Sequence, residues 1–201
     1  MRISGGGARG IQLVVPKGDA VRPATDGMRQ AVFSSLGDAV SGARFLDLFA
    51  GSGAYGLEAV SRGAAGGVFM EQNAKAAACV KRNIEAVCKS VGRDSRDLIV
   101  RQADARTVPL AHSTSSGQAG GEVPDLVFID PPYEIISDVA PVIFARLADL
   151  LALKPDALVV FEAPGEIELA PAGWTLVKRL GKGARQPAAA FFRRTATTAG
   201  A

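Results

Sequence analysis

The chain has 201 residues, of which 48% are hydrophobic and 21% are charged, and its formal net charge is +3. This length suits one α/β domain with a sizeable core, and the composition is that of an ordinary soluble globular protein. No apolar run reaches the roughly 18 residues that a membrane span requires, and the N-terminus lacks the apolar core of a signal peptide. We therefore expect a cytoplasmic protein.

The net charge conceals an uneven distribution along the chain. Residues 1–44 contain six Lys/Arg and three acidic residues, and residues 174–201 contain six Lys/Arg and no acidic residue. The segment between them has 11 basic and 17 acidic residues. If the two basic flanks meet in space, they form an electrostatic footprint for a polyanion such as nucleic acid. Two solvated termini are the alternative interpretation.

The first 43 residues predict a small N-terminal appendage. Apolar residues on both sides of the stretch GGGARG indicate a β-hairpin with Arg9 near its tip. A break at a proline then leads to Thr25 or Asp26 as an N-cap, which predicts a helix extending to about Val40. The residues expected on the buried face of this helix are Val32, Phe33 and Leu36.

The stretch RFLDLFAGSGAYGLE, residues 44–58, predicts a strand, a tight turn and a helix. Its glycines permit positive φ and the close approach of a ligand, and the helix N-terminus behind them favours a negatively charged group. These glycines are Gly51, Gly53 and Gly56. The pattern indicates a binding site for a nucleotide-like cofactor.

From residue 44 onward strands and helices alternate, which is typical of a mostly parallel sheet with right-handed crossovers. The further predicted elements are strands at 67–71, 98–102, 125–129 and 157–161 and helices at 74–89 and 136–153. An antiparallel edge hairpin is predicted from residues 174–180 and 188–193.

These elements predict a Rossmann-like α/β fold with a seven-stranded sheet. The predicted division of the chain is an appendage at 1–43, a cofactor-binding domain at 44–194 and a flexible tail at 195–201. Within the domain, the polar segment 112–123 is predicted to be a mobile loop.

Two cofactors fit the glycine pattern. The spacing of Gly51, Gly53 and Gly56, with Glu71 further on, matches a dinucleotide fingerprint, so an NAD-dependent dehydrogenase is one interpretation. Asp47 argues against it, because a carboxylate inside the strand is costly to bury unpaired and would repel a pyrophosphate. S-adenosylmethionine carries an ammonium and a sulfonium, and therefore suits this acid better.

Acidic residues lie at the ends of four predicted strands, at the edge where open parallel sheets bind ligands. We expect Asp47 to support the methionine ammonium through water or backbone, and Glu71 to bind the ribose hydroxyls. Asp104 and the N–H of Ala105 are expected at the adenine edge. The full set of predicted cofactor-binding residues is Asp47, Gly51, Ser52, Gly53, Glu71, Gln72, Asp104, Ala105 and Asp130.

The fourth predicted strand ends in the loop Asp130-Pro131-Pro132-Tyr133, predicted to be catalytic. Its two prolines fix φ and remove two N–H donors, so the loop presents carbonyl acceptors. Asp130 Oδ and the Pro131 carbonyl would each accept one hydrogen of a nucleobase amino group, favouring a pyramidal nitrogen, and Tyr133 would stack on the extruded base. We expect catalysis by positioning of an in-line methyl transfer, with no metal.

These motifs resemble the bacterial 16S ribosomal RNA guanine-N2 methyltransferase family. The similarity covers RPATDGMRQAVFSSL, LDLFAGSGAYGLEAVSRGA and VFIDPPY, and extends from GGGARG to about Arg194. It implies a class I methyltransferase fold, S-adenosylmethionine as cofactor, and a guanine of 16S rRNA in an assembled or partly assembled 30S particle as target. It also implies that four residues approach the RNA or cover the cofactor: Arg9, Arg22, Thr25 and Arg29.

Other functions stay open on the sequence. A DNA adenine-N6 or protein glutamine methyltransferase also uses such a loop, although 201 residues leave no room for a separate target-recognition domain. A binding module that keeps the fold without catalysis is a third class. Cys79 and Cys88 lie roughly 13 Å apart on one predicted helix, too far for a disulfide. His112 is the single histidine, so no metal site is expected, and we expect a monomer.

Overall fold

A computed structural model describes residues 1–16, 26–110, 123–181, 183–184 and 186–195. Its strands are β1 (Arg44–Leu48), β2 (Gly66–Glu71), β3 (Leu98–Gln102), β4 (Leu126–Ile129), β5 (Leu158–Pro164), β6 (Trp174–Leu180) and β7 (Pro187–Arg194). Its α-helices are α1 (Asp26–Leu36), α2 (Ala54–Ser61), α3 (Ala74–Val91) and α4 (Ile136–Leu150). Short 3-10 turns follow α1 at Gly37–Val40 and precede α4 at Tyr133–Ile135.

The seven strands form one sheet in the order β3-β2-β1-β4-β5-β7-β6. Strands β1 to β5 are parallel, and β7 runs antiparallel to both β5 and β6. The predicted fold class is confirmed, including the antiparallel edge hairpin. The strand order reverses between β1 and β4, so the crevice beyond their carboxyl ends is the expected place for a ligand.

Each face of the sheet carries its own apolar core. One core joins Phe45, Phe69 and Phe128 of the sheet to α1, α2 and α3, and the other joins the alternate strand residues to α4. This division follows from the strands, because successive side chains point to opposite faces. None of the described helices combines the length and the apolar character that a membrane crossing needs.

The N-terminal segment folds back on the first core as a hairpin-like loop. Arg2 and Gln12 form an antiparallel bridge, and Ile3 donates its N–H to the carbonyl of Ile11 at 3.0 Å. The side chains of Ile3 and Leu13 are buried in the same core as α1. The predicted hairpin is thus present, with a single bridge in place of two regular strands.

Residue Asn83 of α3 fastens this hairpin to the turn after β1. Its Oδ1 accepts the N–H of Val14 at 2.8 Å, and its Nδ2 donates to the carbonyls of Val14 and Ser52, each at 2.9 Å. Asn83 is buried, and its bond to Ser52 is made out of reach of water, while its two bonds to Val14 lie at the edge of the core. One side chain therefore couples the N-terminal segment to the predicted cofactor turn.

The predicted elements agree with the observed ones to within a few residues at each end. The predicted first helix is split into α1 and a 3-10 turn, and its residues Val32, Phe33 and Leu36 are buried as expected. Cys79 and Cys88 are both free and buried. His112 and nearly all of the predicted loop at 112–123 lie outside the described residues, as does the tail from residue 196.

Candidate active site

Four carboxylates converge at the carboxyl edge of the sheet, on the face covered by α1, α2 and α3. Asp47, Glu71 and Asp130 each stand two residues beyond a phenylalanine of the first core, so the strand alternation points them to the same side. Glu162 of β5 stands two residues beyond Val160 of the same core, so its side chain points to the same side as the other three. The edge is therefore strongly acidic.

Glu162 was not among the site residues predicted from the sequence. The signal was present, because the predicted fifth strand ends at Phe161 and an acid follows it, as acids follow the strands before it. Tyr55 was also missed, and it donates its hydroxyl to Glu162 Oε2 at 2.5 Å. Tyr55 lies on α2 and stacks on the ring of Phe128, so α2 and β4 fix the phenol from two sides.

Glu71 holds the glycine turn from the neighbouring strand. Its Oε2 accepts the N–H of Gly51 at 2.8 Å, and its Oε1 accepts the N–H of Asn73 at 2.8 Å. Asn73 is in turn the N-cap of α3, where its side chain accepts two backbone N–H groups. Glu71 thus links the turn after β1 to the start of α3, and each of its oxygens keeps lone pairs for a ligand hydroxyl.

The three glycines of the turn have different structural roles. Gly51 has φ 58°, and a Cβ added there would meet only the carbonyl oxygen of Phe49, at 4.0 Å, so this position is open to a ligand. Gly53, with φ 82°, is the residue before α2. A Cβ at Gly56 would lie 2.3 Å from the ring of Phe69, so Gly56 permits the close packing of α2 on the sheet.

Phe49, immediately before the turn, has φ 64°, a left-handed conformation that is uncommon for a bulky side chain. Such strain costs of order 1–3 kcal/mol and persists only where the surroundings impose it. The strained residue lies two positions before Gly51, the most open of the three glycines of the turn. Ser52 in the same turn is buried, and its hydroxyl donates to Met1 Sδ at 3.0 Å.

Asp47 is buried beneath the turn. Its Oδ2 accepts the N–H of Gly56 at 2.9 Å, which ties β1 to α2. Burial, with a further contribution from the charge of Glu71, raises the pKa of Asp47 to about 7. A cation bound at this edge would stabilise the ionised form of Asp47. The bond to the N–H of Gly56 agrees with the prediction that Asp47 supports the methionine ammonium indirectly, through backbone.

The loop from Asp130 to Tyr133 leaves β4 directly beside this acidic edge. Asp130 and Tyr133 are half-buried, Pro131 is buried, and Pro132 is exposed. Tyr133 packs on the second core, so its ring borders the opening from the α4 side. Burial, and then the neighbouring Glu162 and Asp47, raise the pKa of Asp130 well above its usual value, while Arg29 opposes the rise.

The residues predicted for the adenine edge are placed less directly. The guanidinium of Arg106 donates to the carboxylate of Asp104, with Nε 3.0 Å from both Oδ1 and Oδ2 and Nη2 2.7 Å from Oδ2. These contacts lower the pKa of Asp104. Ala105 is buried and Gln72 is exposed. A ligand at Asp104 would share the carboxylate with Arg106.

Arg29 does not lie on an RNA-facing surface, so its predicted contact with RNA is wrong. Its side chain is fully buried, with Nε 3.3 Å from Glu58 Oε2 and Nη2 2.8 Å from Asp26 Oδ1. The sequence carried the signal, because Arg29 precedes Val32 and Phe33 at helical spacing and so belongs to the buried stripe of α1.

Arg9 is exposed, as expected for a hairpin tip. The tip lies beside the C-terminal ends of α2 and α3, since Gly7 donates its N–H to the carbonyl of Ser61 at 2.7 Å and accepts from Ser90 Oγ at 3.4 Å. Those helix ends are at the amino edge of the sheet, so Arg9 does not cover the cofactor turn. Arg22 and Thr25 lie outside the described residues.

The donor set fits S-adenosylmethionine better than a pyrophosphate. The buried carboxylates of Asp47 and Glu71 and the half-buried one of Asp130 favour a ligand with positive charge, and Gly51 leaves room for its approach. No group of three or more His, Cys, Asp or Glu that could hold a metal ion occurs in the described ranges.

A family model described as "Conserved hypothetical protein 95" matches residues 1–189. The chain belongs to this family. Ribosomal RNA small subunit methyltransferase D of Escherichia coli strain K12 is 32% identical over 198 residues, which cover 98% of this chain and 91% of the relative. The protein of the same name from Haemophilus influenzae is 29% identical over 180 residues, covering 89% and 86%.

Solved structures agree with this assignment. The Escherichia coli protein yhhF has a TM-score of 0.69 at 29% identity and covers 98% of this chain and 99% of its own. A protein of Thermus thermophilus has a TM-score of 0.68 at 28% identity, covering 95% and 98%. The resemblance inferred from the motifs is confirmed, and the fold is that of a class I methyltransferase.

Proposed function

We propose that this chain is an S-adenosylmethionine-dependent methyltransferase that methylates the exocyclic N2 of a guanine in 16S rRNA. The observation that carries the proposal is the position of the Asp130–Tyr133 loop, which follows β4 at the acidic edge, while the turn with the open Gly51 follows the paired strand β1. Relatives that match most of the chain are named as small-subunit rRNA methyltransferases. We further propose that it acts as a monomer, in the bacterial cytoplasm, on an assembled or partly assembled 30S particle.

The residues that would hold S-adenosylmethionine are Asp47, Gly51, Ser52, Gly53, Glu71, Gln72, Asp104, Ala105 and Asp130. When bound, it supplies an electrophilic methyl group on a sulfonium. Glu71 would accept the ribose hydroxyls, and the bond between its Oε2 and the N–H of Gly51 in the turn supports this role. The acidic edge provides the potential that attracts a cationic ligand. Gly51 leaves the turn free of side-chain bulk at the point of approach.

Asp130, Pro131 and Tyr133 would hold the target base. Asp130 Oδ and the Pro131 carbonyl each accept one hydrogen of the guanine amino group, so the nitrogen lone pair is directed to the methyl donor. Pro132 keeps the loop rigid, with φ −53° and ψ 135°. Tyr133 offers its ring for stacking once the base leaves its helix. Asp130 also stabilises the positive charge that develops on the nitrogen.

The test is transfer of a radiolabelled methyl group to 30S particles that lack guanine-N2 methylation, with 50S particles, tRNA and duplex DNA in parallel. Nucleoside analysis should find N2-methylguanosine from 30S particles alone. Asp130→Ala should lower the rate by about 100-fold or more, because it removes both an acceptor and a stabilising charge. Asp138→Ala, at an exposed position at the start of α4, is the matched control and should leave the rate unchanged.

The other outcomes separate the alternatives. Label only in DNA or protein would support the proposed cofactor site and contradict the proposed rRNA target. No label in any substrate, with tight binding of NAD measured by calorimetry, would favour the dehydrogenase interpretation. Binding of S-adenosylmethionine without any methyl transfer would favour a binding module.

A further inference from the structure

Behind the Asp130 loop lies a second buried acid that the proposed reaction has not used. Glu162 is 2% exposed and Tyr55 is 4% exposed, and they are joined by the hydrogen bond from the phenol hydroxyl to Oε2 at 2.5 Å. A buried carboxylate and a buried phenol are costly to place in an apolar core unless they interact. Their position at the sheet edge, next to the loop, suggests that they act on it.

The strand register brings Glu162 next to Asp130. Ile129 of β4 pairs with Phe161 of β5, and Asp130 and Glu162 are the next residues of the two parallel strands. Neighbouring strands lie about 4.8 Å apart, so carboxyl groups on the same face at this step are neighbours. Both side chains point to the face covered by α1 and α2, as the alternation from Phe128 and Val160 requires.

The groups around this pair are mostly acidic or apolar. Asp47 faces it from β1 and the Tyr55 hydroxyl from α2, while β7 brings only the side chain of Ala189 opposite Glu162. Among the residues that the structure describes, Arg29 of α1 is the cation that acts on both carboxyls. Burial raises the pKa of Glu162 as well as that of Asp130, so the pair retains a proton that an isolated acid would lose.

Arg29 is a counter-charge for the pair, but its ion pairs are with other acids. Its Nε and Nη2 are bound to Glu58 and Asp26, and its buried Nη1 has no hydrogen-bond partner among the described residues. The guanidinium therefore limits the rise in proton affinity without neutralising it. Two carboxyl groups that share a proton under these conditions titrate as one unit.

We propose that Asp130 and Glu162 form a carboxyl pair that receives the proton leaving the guanine amino group, with Glu162 as a positioning residue held by Tyr55. The inference rests on the function proposed above. In the transfer, the N–CH₃ bond forms and the S–CH₃ bond breaks, with its electron pair going to sulfur. The N–H bond breaks, its electron pair stays on nitrogen, and the proton passes to an Asp130 oxygen. The pair, which lost its shared proton when the cation bound, gains this one proton, and Asp130 and Glu162 hold it together.

The test compares Glu162→Gln and Tyr55→Phe with the wild type in single-turnover methyl transfer to 30S particles between pH 6 and pH 9. Removing the neighbouring charge makes Asp130 easier to ionise, so the acid limb of the pH–rate profile should move to lower pH by about one unit in Glu162→Gln. The rate should fall about tenfold or more, with KM within about twofold. Tyr55→Phe should move the acid limb of the pH–rate profile in the same direction, but by a smaller shift in pH. Glu134→Gln, at an exposed position in the turn before α4, should change neither.

A second readout does not depend on turnover. Calorimetry of S-adenosylmethionine binding in buffers of different ionisation enthalpy counts the protons released on binding. The wild type should release a proton, because the positive charge of the cofactor lowers the proton affinity of Asp130 and Glu162. Glu162→Gln should release measurably less. An unchanged pH profile and proton count, even with a slower rate, would reduce Glu162 to a structural role and overturn the inference. If wild-type protein releases the proton but methylates no substrate, the proposed function fails while the carboxyl pair stands. If Glu162→Gln does not fold, Tyr55→Phe decides by the same two measurements.

Discussion

The carboxylate of Glu71 accepts the N–H of Gly51 at 2.8 Å, so the second strand of the sheet holds the turn that follows the first. Glu71→Ala leaves this N–H and that of Asn73 without their acceptor. We expect a loss of about 1–3 kcal/mol in the free energy of unfolding, and at least a tenfold weaker affinity for S-adenosylmethionine. Urea denaturation and calorimetry measure the two effects. Glu71→Gln keeps an acceptor oxygen and should lose less of both, and equal losses in both variants would contradict this role.

Gly51 and Gly56 should respond in opposite ways to alanine. At Gly56 the added Cβ would lie 2.3 Å from the Phe69 ring and 2.6 Å from that of Phe45, so Gly56→Ala should destabilise the fold by about 2 kcal/mol or more. At Gly51 the cost is that of a left-handed φ, about 1 kcal/mol, since the nearest atom is 4.0 Å away.

Gly51→Ala should therefore fold and yet bind S-adenosylmethionine poorly, because its methyl group occupies the approach of the ligand. Thermal unfolding by circular dichroism and calorimetric titration distinguish the two variants. If Gly51→Ala binds as the wild type does, the ligand does not pass this glycine.

Asp47 should make the protein less stable as the pH rises. Its pKa is about 7 in the folded state and 3.8 in the reference state, so between these values the folded chain keeps a proton that the unfolded chain has released. The free energy of unfolding should therefore fall from about pH 4 to pH 7 and stay low above it. At about 1.4 kcal/mol per pKa unit, the contribution of Asp47 is a few kcal/mol.

Asp47→Asn cannot ionise and keeps an oxygen for the N–H of Gly56. It should flatten this slope and raise the stability at pH 8 by about 2 kcal/mol, while weakening the binding of S-adenosylmethionine, because the carboxylate no longer attracts the cation. Urea denaturation at pH 5 and pH 8 is the measurement. Asp156→Asn, at an exposed position, serves as control and should keep the wild-type slope.

Tyr133 should contribute through its ring. Stacking on a base contributes about 1–3 kcal/mol, so Tyr133→Ala should lower kcat/KM for 30S particles by about 10- to 100-fold. Tyr133→Phe retains the ring and should stay within about threefold of the wild type. A loss as large in Tyr133→Phe as in Tyr133→Ala would assign the effect to the hydroxyl instead. The affinity for S-adenosylmethionine, measured in the absence of RNA, should be similar in both variants.

Periodicity and glycine spacing were sufficient to predict the sheet, its antiparallel edge and the position of the acidic edge. They were insufficient to predict contacts between side chains that lie far apart in the sequence. Arg29 is enclosed by Glu58, which lies 29 residues away, and Tyr55 reaches Glu162 across 107 residues. Local patterns carry little information about such pairs, so the sequence predicted a surface arginine and assigned no role to either partner in the second pair.

The same limit applies to the glycines. The sequence assigned all three to ligand approach, but Gly56 is required by the rings of Phe45 and Phe69. Its spacing would persist in a protein of this fold that binds no cofactor. The acids at the strand ends and the Asp130 loop were therefore better evidence of the site than the glycine pattern itself.

The contact between Val14 and Asn83 has a consequence for how the chain is made. Val14 leaves the ribosome before its partner, which lies 69 residues downstream and which at 5–20 residues per second follows after roughly 3 to 14 seconds. Ser4 similarly waits for Glu58, 54 residues on. During that interval the apolar N-terminus has no core to enter. Nascent chains halted before Asn83 should expose this segment to proteases and chaperones, whereas chains that include all of α3 should protect it.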